Sequence, residues 1–340
     1  MNKRRPKEEI ALDKQVKEEQ SSLYDKYVLL PLSSMLLQNP HAVARRKYWE
    51  EQGLVAGEGR NTDVYEGLPA DASTNVKHKS SSFNPVLCEV VYKWFAPENA
   101  FVIDPFAGGI TSAAVASRLG LKFVGFDIRK EQIDSNYASF SRFEQGNDIK
   151  PLWICGDSKK AVPEFLAKTE EKPNFFFTCP PYWNLEKYSE LEGDISNIKS
   201  YEDFLREYKE ILKVSLSSLQ EGDYAAIVVG DIRDEFTGYM LNFDSTTIEY
   251  FKEFGFELAN RIFVANHAGS ATLRADKYMR YKKVVKTHQD LLVFQKPYSL
   301  KTITELRKTM SDEEIAEKLN MAIRQIHRYS RLEGRKLYGK

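Results

Sequence analysis

The sequence has few of the residues that build metal sites and disulfide frameworks. Only three of its 340 residues are cysteine and five are histidine. Cys88, Cys155 and Cys179 are far apart in the chain, and no metal-ligand spacing links them. We therefore predict reduced thiols and no metal centre.

Long apolar runs are missing as well. No stretch approaches the roughly 18 uninterrupted apolar residues that a membrane-spanning helix needs, and the N-terminus is charged. We expect neither a signal peptide nor a membrane partner, and we predict a cytoplasmic protein. The 42% hydrophobic content is enough for one large core with appendages.

The chain also has no excess of charge of either sign, because its 49 Lys and Arg residues balance its 49 Asp and Glu residues. Zero net charge argues against a nucleic-acid binder unless the basic residues cluster. One stretch contains Arg261, Arg274, Lys277, Arg280, Lys282, Lys283 and Lys286, and another contains Arg324, Arg328, Arg331, Arg335, Lys336 and Lys340. Each cluster fits an ordinary solvated surface, whereas two clusters near aromatic and small polar residues favour contacts with phosphates.

The middle of the chain alternates short apolar runs with amphipathic helical stretches, which is typical of an α/β protein. The predicted strands cover 101–104, 122–127, 152–155, 174–178, 224–229, 257–264 and 291–295. Helices are predicted at 112–119, closed by Gly120, and at 201–219, closed by Gly222. The pattern predicts a doubly wound, mostly parallel, seven-stranded sheet whose chemistry lies in the loops after the carboxyl ends of the strands.

Both ends of the chain differ from this middle part. We predict a charged N-terminal arm with a helical extension over 1–76, a catalytic domain over 77–298 and a helix-turn-helix-like tail over 299–340. In the tail, 311–319 resembles a capped helix, 320–322 a turn and 323–335 a second, basic helix. This tail is either an amphipathic hairpin packed on the body or a DNA contact that presents Arg324, Arg328 and Arg331.

The first motif with chemical content is VIDPFAGGITSAAVASRLGLKFVGFDI, residues 102–128. A strand ends at Asp104, Gly108 allows a tight turn, and a helix leads to a second strand that ends at Asp127. An acid in that position can accept hydrogen bonds from ribose hydroxyls. Dinucleotide sites share this outline, but the G-x-G-x-x-G spacing is absent, so the motif indicates a different nucleoside cofactor.

The second motif is FFFTCPPYWNLEKYS, residues 175–189. Two prolines at the end of a strand fix the backbone and cannot donate hydrogen bonds, so nearby carbonyl groups are held as acceptors. Acceptors of this kind would make an exocyclic base amine more nucleophilic. Tyr182 could then stack on a base that has left the duplex. On its own, the motif equally fits a proline-rich strand end with an aromatic plug.

Together, DPFAGG and TCPPY resemble the cofactor and catalytic motifs of the DNA amino-methyltransferases that modify adenine N6 or cytosine N4, in particular phage-type DNA methylases. The resemblance covers roughly residues 78–298 and implies a Rossmann-like methyltransferase fold, base flipping and the cofactor S-adenosyl-L-methionine. Double-stranded DNA is the implied partner, in a bacterial or phage-infected cell and in a restriction-modification setting, and a homodimer is possible.

The resemblance assigns roles residue by residue. The implied catalytic residues are Cys179, Pro180, Pro181 and Tyr182. The implied cofactor-binding residues are Asp104, Pro105, Phe106, Ala107, Gly108, Asp127, Ile128 and Asp157, together with Ser82, Phe83 and Asn84 from the preceding SSSFNP segment. Cys179 departs from the Asp, Asn or Ser usual at that position and is a weaker hydrogen-bond partner, which leaves the main acceptor role to the Pro180 carbonyl.

A basic loop at about 265–286 precedes THQDLLVFQKP, which resembles the closing strand of phage-type methylases. We expect this loop to recognise DNA through Arg274, Lys277, Arg280 and Lys282. Asp231 and Arg233, in AIVVGDIRD, either line the base pocket or form an ordinary salt bridge at a strand end.

Two alternative functions of the protein stay open. One is a weak or inert methyltransferase fold that only binds DNA; the other is methylation of an RNA base or a protein glutamine.

Overall fold

The structure is a computed structural model, and it describes six parts of the chain. These are residues 7–55, 83–145, 149–183, 188–234, 236–265 and 271–329. No helix within these ranges is long and apolar enough to cross a membrane.

The sheet lies at the centre of the fold. Its strands are β1 (Ser34–Leu36), β2 (Phe101–Asp104), β3 (Lys122–Asp127), β4 (Leu152–Cys155), β5 (Phe175–Thr178), β6 (Tyr224–Val229), β7 (Glu257–Ala265) and β8 (His288–Gln295). The described strands form one sheet in the order β1-β7-β8-β6-β5-β2-β3-β4. β8 is antiparallel to its neighbours β6 and β7, and the other neighbouring strands are parallel. The predicted mostly parallel, Rossmann-like α/β fold is confirmed.

Helices cover both faces of the sheet. They are α1 (Lys7–Tyr27), α2 (Pro40–Glu51), α3 (Pro85–Phe95), α4 (Thr111–Arg118), α5 (Lys130–Phe143), α6 (Ser158–Lys168), α7 (Tyr201–Leu216), α8 (Phe243–Glu253), α9 (Ala271–Arg280), α10 (Leu300–Leu306), α11 (Asp312–Lys318) and α12 (323–329). Strand residues alternate between two cores: Phe175 and Phe177 pack with α3, α4 and α5, whereas Phe176 packs with α7 and α8. Because β5 is buried on both of its faces, its FFF run is apolar throughout and does not alternate with polar residues.

The sheet contains one strand that the sequence did not predict. β1 has three residues and pairs in parallel with the outer side of β7, through Ser34 with Phe263 and Leu36 with Ala265. Three residues are too few to show an alternating pattern, and only the backbone pairing at the sheet edge identifies them as a strand. The predicted N-terminal extension therefore supplies an edge of the central sheet.

A buried ion pair fastens this extension to the fold. Glu89 on α3 is fully buried and receives two 2.7 Å hydrogen bonds from Arg45 on α2 and one of 2.8 Å from Trp49 Nε1. Lys93 Nζ lies 3.3 Å from the same carboxylate. These partners compensate the charge of the buried carboxylate. Removing one of them would leave a buried charge without full compensation, which is strongly destabilising.

Candidate active site

The turn after β2 carries the first group of candidate residues. Gly108 has a φ of 52°, in the left-handed region that favours glycine. The turn also lies very close to β3, since a Cβ placed on Gly125 would come within 2.6 Å of Ala107 Cβ. Small residues at both positions let the DPFAGG turn lie against β3. The turn is thereby positioned next to the strand that ends at Asp127.

Asp104, which precedes this turn, stabilises it through hydrogen bonds. Its carboxylate is almost fully buried, and it accepts hydrogen bonds from Thr178 Oγ1 at 2.5 Å and from the Phe106 backbone N–H at 3.0 Å. Burial raises the pKa of Asp104 to about 7, although both hydrogen bonds oppose the shift. Asp104 thus joins the end of β2 to the end of β5, where the Cys-Pro-Pro-Tyr corner begins.

A cleft that is partly open to solvent lies at these strand ends. Three carboxylates line it: Asp127 after β3, Asp157 at the start of α6, and Asp194 from the segment after β5. Asp127 accepts a 2.8 Å hydrogen bond from the Arg129 backbone N–H, and its burial raises its pKa, with Arg129 opposing the shift. Asp157 caps α6 by accepting from the Lys159 backbone N–H at 3.0 Å.

The Cys-Pro-Pro-Tyr corner lies at the same cleft. Cys179 and Pro181 line it together with Phe106 and Gly108 of the first motif. The two motifs meet because β2 and β5 are parallel neighbours, with Ile103 paired to Phe176, so their carboxyl ends reach the same edge of the sheet. The site therefore combines a nucleoside-type turn and a rigid proline corner in one space.

Tyr182 is held by a small polar network. Its hydroxyl donates to the Val228 carbonyl at 3.3 Å, accepts from Gln289 Nε2 at 2.8 Å and lies 3.4 Å from Cys179 Sγ. One side of the ring lies against Gly230, where an added Cβ would come within 3.1 Å of Tyr182 Cε2. These contacts orient a half-buried aromatic ring beside the corner.

The residues at the cleft fit S-adenosylmethionine. An adenosine needs an aromatic or apolar contact for its ring and acceptors for its ribose and amino groups, and Phe106, Asp127 and Asp157 supply these. Three carboxylates also suit a ligand with a cationic sulfonium and an ammonium group. Among the described residues there is no group of His, Cys, Asp or Glu that could hold a metal ion.

The structure brings part of the predicted cofactor set into the cleft. Its walls include Pro105, Phe106, Gly108, Asp127, Ile128 and Asp157. Asp104 and Ala107 are buried beneath the turn and are not among the lining residues. Asn84 caps α3 by accepting from the Val86 backbone N–H, and Phe83 packs against Phe177 with ring centroids 5.0 Å apart. Ser82 lies outside the described residues.

A segment after β5 that the sequence does not predict as part of the site also lines the cleft. Gly193, Asp194 and Ile195 line the pocket and lie outside both motifs, and Tyr188 lines it from within the second motif, where it was assigned no role. Asp194 also organises this segment by accepting from Ser189 Oγ at 2.6 Å and from neighbouring backbone. The only available signal was the short LEGDIS sequence, which has the composition of an ordinary loop.

The predicted DNA-recognition loop contains helix α9. No residue of α9 is buried, and Arg274, Lys277 and Arg280 are exposed on it, although Arg280 pairs with Asp276 at 2.6 Å. Lys282, which follows the helix, is exposed with a φ of 57°. β8 is antiparallel to both β6 and β7, so β7 runs parallel to β6 and ends at the carboxyl edge, where the cleft lies. The segment between β7 and β8 therefore begins and ends at that edge.

Comparison with known proteins supports the resemblance found in the sequence. A family model described as DNA methylase matches residues 2–138, which include the DPFAGG turn but not the Cys-Pro-Pro-Tyr corner. A 72-residue segment is 35% identical to the Type II methyltransferase M2.LlaDCHI of Lactococcus lactis subsp. cremoris and covers 21% of this chain. The match spans about a quarter of that relative, 27% of its length. The resemblance to DNA amino-methyltransferases is confirmed, and with it S-adenosyl-L-methionine as the cofactor of that class.

Several solved methyltransferases are distantly similar. TrmN from Thermus thermophilus aligns with a TM-score of 0.38 and 15% identity, over 63% of this chain and 49% of its own. NSun6 from Pyrococcus horikoshii, solved with SFG, aligns with a TM-score of 0.43 and 12% identity, over 68% and 57% of the two chains. Likenesses this distant do not discriminate between substrates.

Proposed function

We propose that this protein is a DNA methyltransferase that transfers a methyl group from S-adenosylmethionine to the exocyclic amine of a flipped base, adenine N6 or cytosine N4. The single observation that carries the proposal is that Cys179 and Pro181 line the same cleft as Phe106 and Gly108. A methyl donor and an amine acceptor bound at these two motifs would be neighbours, and proximity supplies much of the rate of such transfers.

The cofactor end of the cleft has the donors and acceptors that this role needs. Asp127 would accept hydrogen bonds from ribose hydroxyls, Asp157 would bind the adenine edge, and Phe106 would contact the ring. When bound, S-adenosylmethionine supplies an electrophilic methyl group on a sulfonium. The carboxylates of the cleft favour that cationic ligand over the neutral thioether product, which assists product release.

The acceptor end would bind and activate the base. Tyr182 would stack on the flipped base, and the Pro180 carbonyl would accept a hydrogen bond from its amine. Cys179 Sγ lies 3.4 Å from the Tyr182 hydroxyl, so its role here is to hold the aromatic ring as well as to line the cleft. The amine loses a proton to solvent after transfer, and no strongly basic side chain is required.

Double-stranded DNA is the proposed substrate. Arg274, Lys277 and Lys282 are exposed on the segment that projects from the catalytic edge, where they can neutralise phosphates beside the base pocket. Flipping a base costs a few kcal/mol, which such contacts and stacking on Tyr182 would offset. A bacterial or phage DNA substrate also implies work in the cytoplasm.

The test is methyl transfer with tritiated S-adenosylmethionine onto double-stranded DNA, transfer RNA and a protein mixture in parallel. After digestion of the DNA, mass spectrometry identifies N6-methyldeoxyadenosine or N4-methyldeoxycytidine. Labelled nucleosides in the DNA arm support the proposal and select the base. Label in the RNA or protein arm alone would reject it, and cofactor binding without label in any arm would favour an inert fold.

A further inference from the structure

The C-terminal helical unit, residues 298–329, lies at the sheet edge opposite the candidate active site. β8 runs antiparallel to β6, so Gln295 pairs with Tyr224 at the amino end of β6, whereas Asp290 pairs with Val229 at its carboxyl end. The chain therefore leaves the sheet at the amino edge. At about 3.3 Å per residue, β6 alone separates the two edges by about 17 Å.

Contacts hold the unit at that edge. Thr302 Oγ1 donates a 2.5 Å hydrogen bond to Oε2 of Glu221, which lies three residues before β6 begins at Tyr224. Lys296 and Gly222 are joined by a 2.7 Å backbone hydrogen bond, which fixes the exit of the chain from β8. These bonds attach the helical unit to the amino edge, away from the cleft at the carboxyl ends of β2 and β5.

The unit has a core of its own and the geometry of a helix-turn-helix. Ile303 on α10, Ile315 on α11 and Ile326 on α12 are fully buried against one another, separately from the two cores of the sheet. Asn320 has a φ of 49°, so the chain reverses between α11 and α12 in a left-handed residue. Ala316, also buried, gives α11 a small side chain in this core. Two short helices joined by such a turn define the motif.

Polar contacts make the helices one rigid body. Arg307 donates to Asp312 at 2.8 Å and to the Ile326 carbonyl at 2.9 Å, and this links the segment after α10 to both α11 and α12. The Tyr329 hydroxyl donates to the Tyr298 carbonyl at 2.9 Å. A surface on α12 is therefore presented in a fixed orientation.

The outer surface of α12 is basic and polar. Arg324 and Arg328 are one helical turn apart, and both are exposed, as are Gln325 and His327. No acidic residue occurs between 321 and 329, whereas α11 carries Asp312, Glu313, Glu314 and Glu317. α12 therefore carries only positive charge, whereas α11 has four acids against the single Lys318. The second helix is the one that enters the major groove in helix-turn-helix proteins.

We propose that residues 298–329 form a second binding site for double-stranded DNA, with α12 in the major groove. This site holds a DNA segment other than the one whose base enters the cleft. The two edges of the sheet face opposite ways, so one straight duplex would not present itself to both, and bending 20–30 base pairs by 40–90° costs of the order of 1–6 kcal/mol. The proposal goes beyond methyl transfer, because it gives each chain two duplex sites on opposite edges of one sheet.

The experiment counts duplexes bound per chain. Duplexes of about 20 base pairs, far shorter than the persistence length, are titrated against full-length protein at low salt and analysed by sedimentation. The variant is Arg324→Glu/Arg328→Glu, and the charge-matched control is Lys213→Glu/Lys252→Glu on α7 and α8. We expect two duplexes per chain for the wild type and the control, and one for the variant.

Salt dependence of binding supplies a second readout. In the milder variant Arg324→Ala/Arg328→Ala, which should weaken the second site without abolishing it, loss of two phosphate contacts should reduce the magnitude of the slope of log K against log salt for the second duplex by about 2. Methyl transfer to one short duplex should stay within twofold of wild type in the variant. Two duplexes bound without any methyl transfer would support this proposal while rejecting the proposed catalytic function. One duplex per wild-type chain, or two per variant chain, would overturn it.

Discussion

Asp127 offers the sharpest test of the cofactor site. Its side chain lines the cleft at the end of β3, and its Oδ1 already accepts the Arg129 backbone N–H at 2.8 Å. Replacement Asp127→Ala removes the carboxylate proposed to accept hydrogen bonds from the ribose hydroxyls. Since β3 is paired on both sides and Asp127 stands at its end, the sheet itself should persist.

The size of the effect follows from the bonds lost. A hydrogen bond to a charged group contributes about 1.5–3 kcal/mol, so loss of the ribose contacts should cost roughly 3 kcal/mol in binding. That corresponds to an increase of about 100-fold in the Kd for S-adenosylmethionine. Asp127→Asn keeps an oxygen for the Arg129 N–H but loses the charge, and its Kd should rise by only about 10-fold.

Isothermal titration calorimetry measures these constants directly. The matched control is Asp134→Ala, which removes an exposed acid of α5 that pairs with Lys130 outside the cleft lining. The control should bind as the wild type does. A Kd for Asp127→Ala within about threefold of wild type, in a protein with an unchanged Tm, would refute the assignment of Asp127 to the ribose. Because burial raises the pKa of Asp127, wild-type affinity should also decline on acidification earlier than an exposed aspartate would allow.

Three further predictions concern other parts of the molecule. Tyr182→Ala should abolish methyl transfer and leave the cofactor Kd unchanged, whereas Tyr182→Phe should keep the stacking ring and retain measurable kcat; full activity of the alanine variant would eliminate stacking. The folded-state pKa of Asp104 is raised from 3.8 to about 7, so its stabilising contribution is complete below pH 3.8 and is lost as pH rises through 7. The free energy of unfolding, measured in urea, should therefore fall over that range by roughly 4 kcal/mol more in the wild type than in Asp104→Asn, and parallel pH profiles would contradict the shift. Arg45→Ala leaves the buried Glu89 without its main partner and should lower the free energy of unfolding by about 3–5 kcal/mol. The double variant Arg45→Ala/Glu89→Gln should recover part of that loss, and an unchanged Tm for Arg45→Ala would show that the pair is not needed.

The sequence alone determined most of the sheet and both motifs of the site. Strands such as β2, β3 and β6 have the bounds that the sequence predicts, because each is a short apolar run that ends at, or just before, a polar residue or glycine. The turn after Asp104 and the corner after Thr178 were also local features, since glycine and proline restrict the backbone wherever they occur. Rules about parallel strands then placed both motifs at one edge.

Other features depended on contacts between distant parts of the chain, which no local pattern encodes. β1 is a strand only because it pairs with β7, and Asp194 reaches the cleft only through the path of the segment after β5. The position of the basic tail depended on the direction of β8. Hydrogen bonding to β6 and β7 makes β8 antiparallel, so the chain leaves the sheet at the amino edge, and the helical unit that contains α12 follows from there. Local propensity specifies which residues form strands and turns, whereas the choice of pairing partners decides which of those residues become neighbours.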